Sequence, residues 1–163
     1  MKLQVLDQLR QPVGSTSSYE IDEPSVRFPG LNVARLAGTV TLLRTDRGLL
    51  ARVSAKAEVG EECSRCLAET SCSVAIDFDE EYVPFLDPVT GRTIADDSHA
   101  EPIARIGSDF VLDLGDGFRQ YILMGEPLRP LCKPDCAGLC QTCGADLNAR
   151  KCRCSEDTPT PDN

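Results

Sequence analysis

The sequence predicts an α+β protein: a curved, mainly antiparallel β-sheet with one packed helix and a C-terminal zinc knuckle. Two observations predict this. Long stretches between residues 33 and 83 alternate apolar and polar with period two, the pattern of half-exposed antiparallel strands. Eight of the nine cysteines fall into closely spaced sets, six of them within residues 132–154. Hydrophobic residues make up 41% and charged residues 26% of the 163-residue chain, the range of a folded globular protein. Aromatic residues are only 5%, so the core must rest on Leu, Val, Ile and Ala.

The elements follow in order. "VLDQLRQ" is a short helix candidate that stops before Pro12 and Gly14. "SYEI" and "SVRF" are strand-like and separated by Pro24. "VARLAGTVTLL" (33–43), the turn "RTDRG" (44–48) and "LLARVSAKAEV" (49–59) form a hairpin over 33–59. In its second arm Leu49, Ala51, Val53, Ala55, Ala57 and Val59 share one face. "CSVAIDFDEEYV" is a third long strand, with Val74, Ile76 and Phe78 inward and Asp77 and Asp79 outward. Residues 84–104 are rich in Pro, Gly and Asp and read as a mobile acidic loop. "DFVLDL" is a short strand. "DLGDGFRQYILMGEP" is a helix capped by Asp113 and ended by Pro127. Gly115, Gly117 and Gly125 each cost such a helix about 1 kcal/mol against alanine, so packing by Phe118, Tyr121, Ile122 and Met124 must hold it. The division is an α+β domain over 1–131, a cysteine-rich zinc-binding segment over 132–154, and a disordered tail over 155–163.

The N-terminus has no apolar run of signal-peptide length, and no stretch is long enough to span a bilayer. The expectation is a cytoplasmic protein, or one in an organelle after removal of a leader. A reducing compartment disfavours a disulfide framework, and nine is an odd number. Metal binding is the alternative use of thiols. Cys63-Ser-Arg-Cys66 and Cys140-Gln-Thr-Cys143 have the spacing at which a tight turn aims both sulfurs at one point. Gly144 follows the second pair, where a positive φ lets backbone N–H groups face the sulfurs. Cys132 and Cys136 flank Pro134; Cys152 and Cys154 share a metal only if the backbone turns between them. The economical partition is two zinc ions. Cys140, Cys143, Cys152 and Cys154 hold one; Cys63, Cys66, Cys132 and Cys136 hold the other. Cys72 is left as a small buried apolar residue, and His99 as a solvated loop residue.

Competing chemistries are weaker. Cys136, Cys140 and Cys143 have the three-cysteine spacing of radical enzymes that use S-adenosylmethionine, but only 20 residues follow Cys143. Four thiolates alone do not choose between zinc and an iron–sulfur cluster. A Cys-x-Cys and a Cys-x-x-Cys sharing zinc also form a redox switch, oxidised to disulfides with metal release. No histidine ligand pair, Gly-x-Ser-x-Gly or phosphate-binding glycine loop is present, so neither an enzyme nor a small-molecule substrate is indicated. The net charge of −9 excludes an electrostatic grip on nucleic acid by the chain as a whole. A local basic patch remains: Arg150, Lys151 and Arg153, joined by Arg129 and Lys133, which sit on or between the candidate ligands.

A hairpin running into "GEECSRCL", an acidic gap, then "LDLGDGFRQYILMGEPLRPLCKPDCAGLCQTCGADLN" and Cys-x-Cys resembles the YceD family, the large ribosomal RNA subunit accumulation proteins. The resemblance covers about residues 3–154 and is most specific at "CSRCL", "PLRPLC" and "GLCQTCGADLN…KCRC". "QPVG" also resembles the Pro-Gly region many members show, with Val13 interposed. It implies a non-enzymatic role in accumulation of large-subunit (23S) ribosomal RNA, with ribosomal RNA or a ribosome-assembly protein as partner. Family members differ in how many C-terminal cysteines they keep, which implies that the second knuckle is a stabilising appendage. The alternatives are a zinc-thiolate redox sensor or chaperone, and a zinc-stabilised protein-interaction module unrelated to ribosomes.

Overall fold

Alternation of small and branched apolar residues with polar ones carries most of this fold. The computed structural model describes residues 1–94 and 104–154. It is mostly sheet with few helices, in the order β1 (Lys2–Gln4), α1 (Leu6–Leu9), β2 (Thr16–Glu23), β3 (Val26–Phe28), β4 (Leu31–Arg44), β5 (Leu49–Glu62), β6 (Glu69–Pro84), β7 (Ala104–Ile106), β8 (Val111–Asp113) and α2 (Gly115–Gly125). The main sheet runs β2-β4-β5-β6-β7, with β3 also pairing to β4. β2 and β3 pair antiparallel to β4, whereas β7 lies parallel to β6 with Tyr82 opposite Ala104. A second, two-stranded sheet pairs β1 antiparallel to β8. No helix among the described residues is long and apolar enough to cross a membrane.

The chain divides into two units. The first comprises 1–58 and 73–126; the second comprises 59–72 and 127–163, described here to residue 154. The second unit thus joins the β5–β6 tip to the C-terminal segment in one contact group, although the two are separated in sequence.

In the first unit the expected inward face is realised. Leu49, Ala51, Val53, Ala55 and Ala57 of β5 are buried, as are Val74, Ile76 and Phe78 of β6. On the opposite face Arg52 makes a bidentate pair with Asp79, and Ser54 donates to Asp77 at 2.7 Å. At the β4–β5 turn the Thr45 N–H meets the Gly48 carbonyl at 3.0 Å. Gly38 of β4 permits close backbone approach: a Cβ there would lie 2.4 Å from both the Ser54 carbonyl oxygen and Ala55 Cα. Gly38→Ala is therefore expected to destabilise the protein by about 3 kcal/mol, the upper end for overpacking, measured as a fall in the urea midpoint.

α2 packs through Phe118 and Ile122, both fully buried. Phe118 meets Phe78 edge-on at 5.9 Å, and Tyr121 stacks on Phe78 at 4.6 Å. The glycines that weaken this helix serve that contact. A Cβ at Gly125 would lie 2.4 Å from Val74 Cγ1, and one at Gly117 would lie 3.0 Å from Phe78 Cζ. Two expectations need correction. Met124 is 70% exposed, because it falls on the outer face of the helix. The N-cap residue is Leu114, not Asp113; the Asp113 carboxylate instead accepts the Gly115 N–H at 2.9 Å, with the N-terminal ammonium at 3.6 Å.

Within the 84–104 segment, residues 84–94 form a closed turn. Leu86 bridges Thr93, and Asp87 Oδ1 accepts from the Val89 and Thr90 N–H groups. Residues 95–103, which include His99, and the tail 155–163 lie outside the described residues.

Candidate metal centres

The second unit contains two copies of one local backbone reversal. In Cys63–Ala68, Cys63 N–H donates to the Ala68 carbonyl at 2.9 Å and Leu67 N–H donates back to the Cys63 carbonyl at 2.9 Å. In Cys140–Ala145 the same two bonds recur, Cys140 to Ala145 and Gly144 to Cys140, both at 2.8 Å. Each reversal needs a left-handed residue after the second cysteine. Gly144 takes it at φ 69° and Leu67 at φ 60°. For a residue with a Cβ, that conformation costs on the order of 1–2 kcal/mol.

The reversals gather sulfurs. Sγ atoms of Cys63, Cys66, Cys132 and Cys136 all lie within 4.8 Å of one another, as do those of Cys140, Cys143, Cys152 and Cys154. The nearest approaches are 3.7 Å for Cys63–Cys136, 3.6 Å for Cys66–Cys132, 3.3 Å for Cys143–Cys152 and 3.4 Å for Cys140–Cys152. All nine cysteines are unbridged. Sulfurs bound tetrahedrally at 2.3 Å from one ion would stand about 3.8 Å apart, so both donor sets fit a four-coordinate metal. The backbone turns at residues 152–154, where the Cys154 N–H reaches Cys152 Sγ at 3.3 Å. Cys72 stands outside both quartets on β6 and is half-buried, not buried as expected, because it lies toward the exposed strand end.

Protonation within each quartet points the same way. The N–H groups of Cys132, Arg65 and Cys66 draw the Cys63 thiol down to about 6. Those of Cys143 and Thr142, helped by the Cys152 thiol, draw Cys140 down to about 6. Cys132 is pushed up to about 12 by donating to the Cys66 sulfur and by burial, and Cys154 to about 12 by its contacts with Cys152 and Cys143. Four thiols this close do not all ionise unless a cation joins them.

The two quartets are held differently. The first is inner: Cys63 is 0% and Cys136 1% exposed. Its knuckle is clamped by Ser64 N–H to the Pro130 carbonyl, Leu139 N–H to the Arg65 carbonyl, and Arg65 Nη1 to the Cys136 carbonyl at 2.8 Å. Asn148 Nδ2 donates to Cys136 Sγ at 3.4 Å while its Oδ1 accepts the Ala137 N–H at 2.9 Å. None of the four outer cysteines is buried, and Cys143 is exposed. Arg65, Leu67 and Asn148 are contributors that ligand spacing does not reveal. The one signal for them was position, directly within or beside the "CSRCL" and "GADLN" phrases.

Arg150, Lys151 and Arg153 are exposed, as are Arg129 and Lys133. Among the described residues none of the first three is in an ion pair. Residues 127–154 carry these five cations against two aspartates, so the segment opposes the sign of the whole chain.

A family model, described as large ribosomal RNA subunit accumulation protein YceD, matches residues 51–162, a span that takes in both quartets. The chain is 29% identical over 102 residues to "Uncharacterized protein Rv2926c" of Mycobacterium tuberculosis (strain ATCC 25618 / H37Rv) and to "Uncharacterized protein Mb2951c" of Mycobacterium bovis (strain ATCC BAA-935 / AF2122/97). Each alignment covers 63% of this chain and 46% of the relative, so the chain spans about half the length of these relatives. No solved structure matches it.

Proposed function

Because the chain belongs to the family of the large ribosomal RNA subunit accumulation protein YceD, we propose that it is a non-enzymatic factor promoting accumulation of 23S ribosomal RNA. It serves ribosome biogenesis in the cytoplasm. The observation that carries this reading is the family match over residues 51–162.

The two quartets are zinc sites in this reading, Cys63, Cys66, Cys132 and Cys136 holding one ion and Cys140, Cys143, Cys152 and Cys154 the other. Four thiolates with no open position suit a structural ion, which cross-links chain segments and offers no site for substrate. Cys63 and Cys66 tie the β5–β6 tip to the segment around Cys132 and Cys136. Cys152 and Cys154 close the C-terminal end on the second knuckle. The exposed Arg150, Lys151 and Arg153 then sit on a metal-braced surface, where they meet the phosphates of ribosomal RNA or the surface of an RNA-bound protein.

Depletion tests the reading. The ratio of 23S to 16S RNA is expected to fall in depleted cells and to be restored by the wild-type gene. Replacement of Arg150, Lys151 and Arg153 together by glutamine is expected to leave zinc content unchanged and to restore the ratio only in part. An unchanged ratio on depletion sinks the ribosomal reading. Full restoration by the triple variant removes the partner role of these cations and leaves them to offset thiolate charge.

A further inference from the structure

The two quartets share one strip of backbone. Cys136 belongs to the inner set and Cys140 to the outer, with Ala137, Gly138 and Leu139 between them. Both sides of this strip are bonded. Toward the inner knuckle, Leu139 N–H donates to the Arg65 carbonyl at 3.1 Å. Gly138 is buried there at φ 76°, and a Cβ on it would lie 3.0 Å from the same carbonyl oxygen. Toward the outer set, the Gly138 carbonyl accepts Leu147 N–H at 2.9 Å, and Ala137 N–H donates to Asn148 Oδ1 at 2.9 Å.

Asn148 lies in the loop 144–151, which runs between the outer ligands Cys143 and Cys152. Its Nδ2 nevertheless donates to an inner sulfur, Cys136 Sγ, at 3.4 Å. Nδ2 also donates to Asp146 Oδ1 at 2.8 Å, and Asn148 N–H donates to the same oxygen at 2.9 Å, so the amide is fixed. The Gly138 N–H faces Cys136 Sγ as well. Cys63 and Cys136 are shut off from water, so thiolate charge on the inner quartet depends on protein N–H groups in place of solvent. The loop has little apolar packing of its own: Ala145 is its one buried apolar side chain among the described residues.

Resting on the reading of both quartets as zinc sites, we infer that the two sites are coupled and that Asn148 is the positioning residue that couples them. Loop 144–151, pinned at both ends by the outer ligands, holds the Asn148 amide against Cys136 and raises the affinity of the inner quartet for zinc. With an outer ligand gone, one end of the loop is loose, and ordering Asn148 against Cys136 costs chain entropy that inner-site binding must offset. By linkage the coupling acts equally in the other direction.

Zinc alone is the probe, competed against a chelator of known affinity. Alkylation of Cys66 and Cys132, read by mass spectrometry, reports occupancy of the inner quartet. Cys143→Ser, which removes the outer site, is expected to weaken inner zinc about tenfold, and Asn148→Ala to do the same. The two losses are not expected to multiply: with Asn148→Ala in place, Cys143→Ser should cost less than about threefold more. Asn148→Asp keeps the acceptor for Ala137 N–H but lacks the donor, and is expected to weaken inner zinc at least as much as Asn148→Ala. In cobalt-loaded protein, Asn148→Ala is expected to move the sulfur-to-metal charge-transfer band to longer wavelength, because a thiolate that loses an N–H donor gives up electrons more readily. Inner affinity within about threefold of wild type in Cys143→Ser overturns the coupling. A full loss of about tenfold from Cys143→Ser on top of Asn148→Ala overturns the role of Asn148, as does Asn148→Asp that binds zinc like wild type. Loss of hydrogen-exchange protection across 59–72 in zinc-saturated Asn148→Ala shows that the residue serves the fold instead, and overturns it too. Wild-type protein that holds no zinc overturns the reading of the quartets as zinc sites itself.

Discussion

Cys136→Ser is expected to strip the inner quartet of its metal and to unfold residues 59–72 and 127–154. The expectation follows from what else could hold this unit together. Among the described residues its buried apolar side chains are Val59, Cys63, Cys136 and Ala145, and two of these are ligand candidates. So little apolar burial does not offset the entropy of ordering this unit. In such a segment metal binding supplies the folding energy, so losing a ligand loses the fold. Cys136 is also the sulfur that the Asn148 amide and the buried backbone converge on, so serine there leaves those donors without a thiolate. Elemental analysis should show zinc falling from two ions per chain to one or none. Hydrogen exchange should show protection lost in 59–72 and 127–154 and kept in 1–58 and 73–126. A variant that retains two ions, or one that loses protection uniformly, rules this account out.

The sheet was legible because it is a repeating pattern. Six apolar residues from Leu49 to Val59 at alternate positions leave little choice of structure or of buried face. β1 and β7 escaped because each is three residues long and owes its pairing to distant partners, β8 and β6 respectively. Nothing local distinguishes "KLQ" or "ARI" from loop. Met124 was misassigned because helical spacing gives a face only to within a residue, and the glycines that set how α2 meets the sheet look like helix breakers. At the candidate metal centres, counting eight cysteines in pairs predicted the same quartets that the fold brings together. The repeat of one backbone reversal at Leu67 and Gly144 was not legible, because leucine does not signal a left-handed residue.

Hydrogen peroxide is expected to release one zinc per chain well before the other, and the early ion is expected to come from the outer quartet. Attack needs access to a sulfur. Each set has one exposed cysteine, Cys143 in the outer and Cys132 in the inner, but the outer set contains no buried cysteine, whereas Cys63 and Cys136 of the inner set are shut off from solvent. Cys143 and Cys152 already stand 3.3 Å apart, so joining them needs little movement. Their two thiolates supply two electrons, the S–S bond forms, and the peroxide O–O bond breaks to two hydroxides. Zinc then keeps only Cys140 and Cys154 and is lost. A chromogenic chelator should record a first equivalent released about tenfold faster than the second. Mass spectrometry should place the early disulfide between Cys143 and Cys152, and Cys143→Ser should abolish the fast phase. Early loss from the inner quartet instead would show that strain, not access, sets the order. Loss of 23S accumulation in step with the first equivalent would join the redox-sensor reading to the ribosomal one, since both would then depend on the same exposed sulfurs.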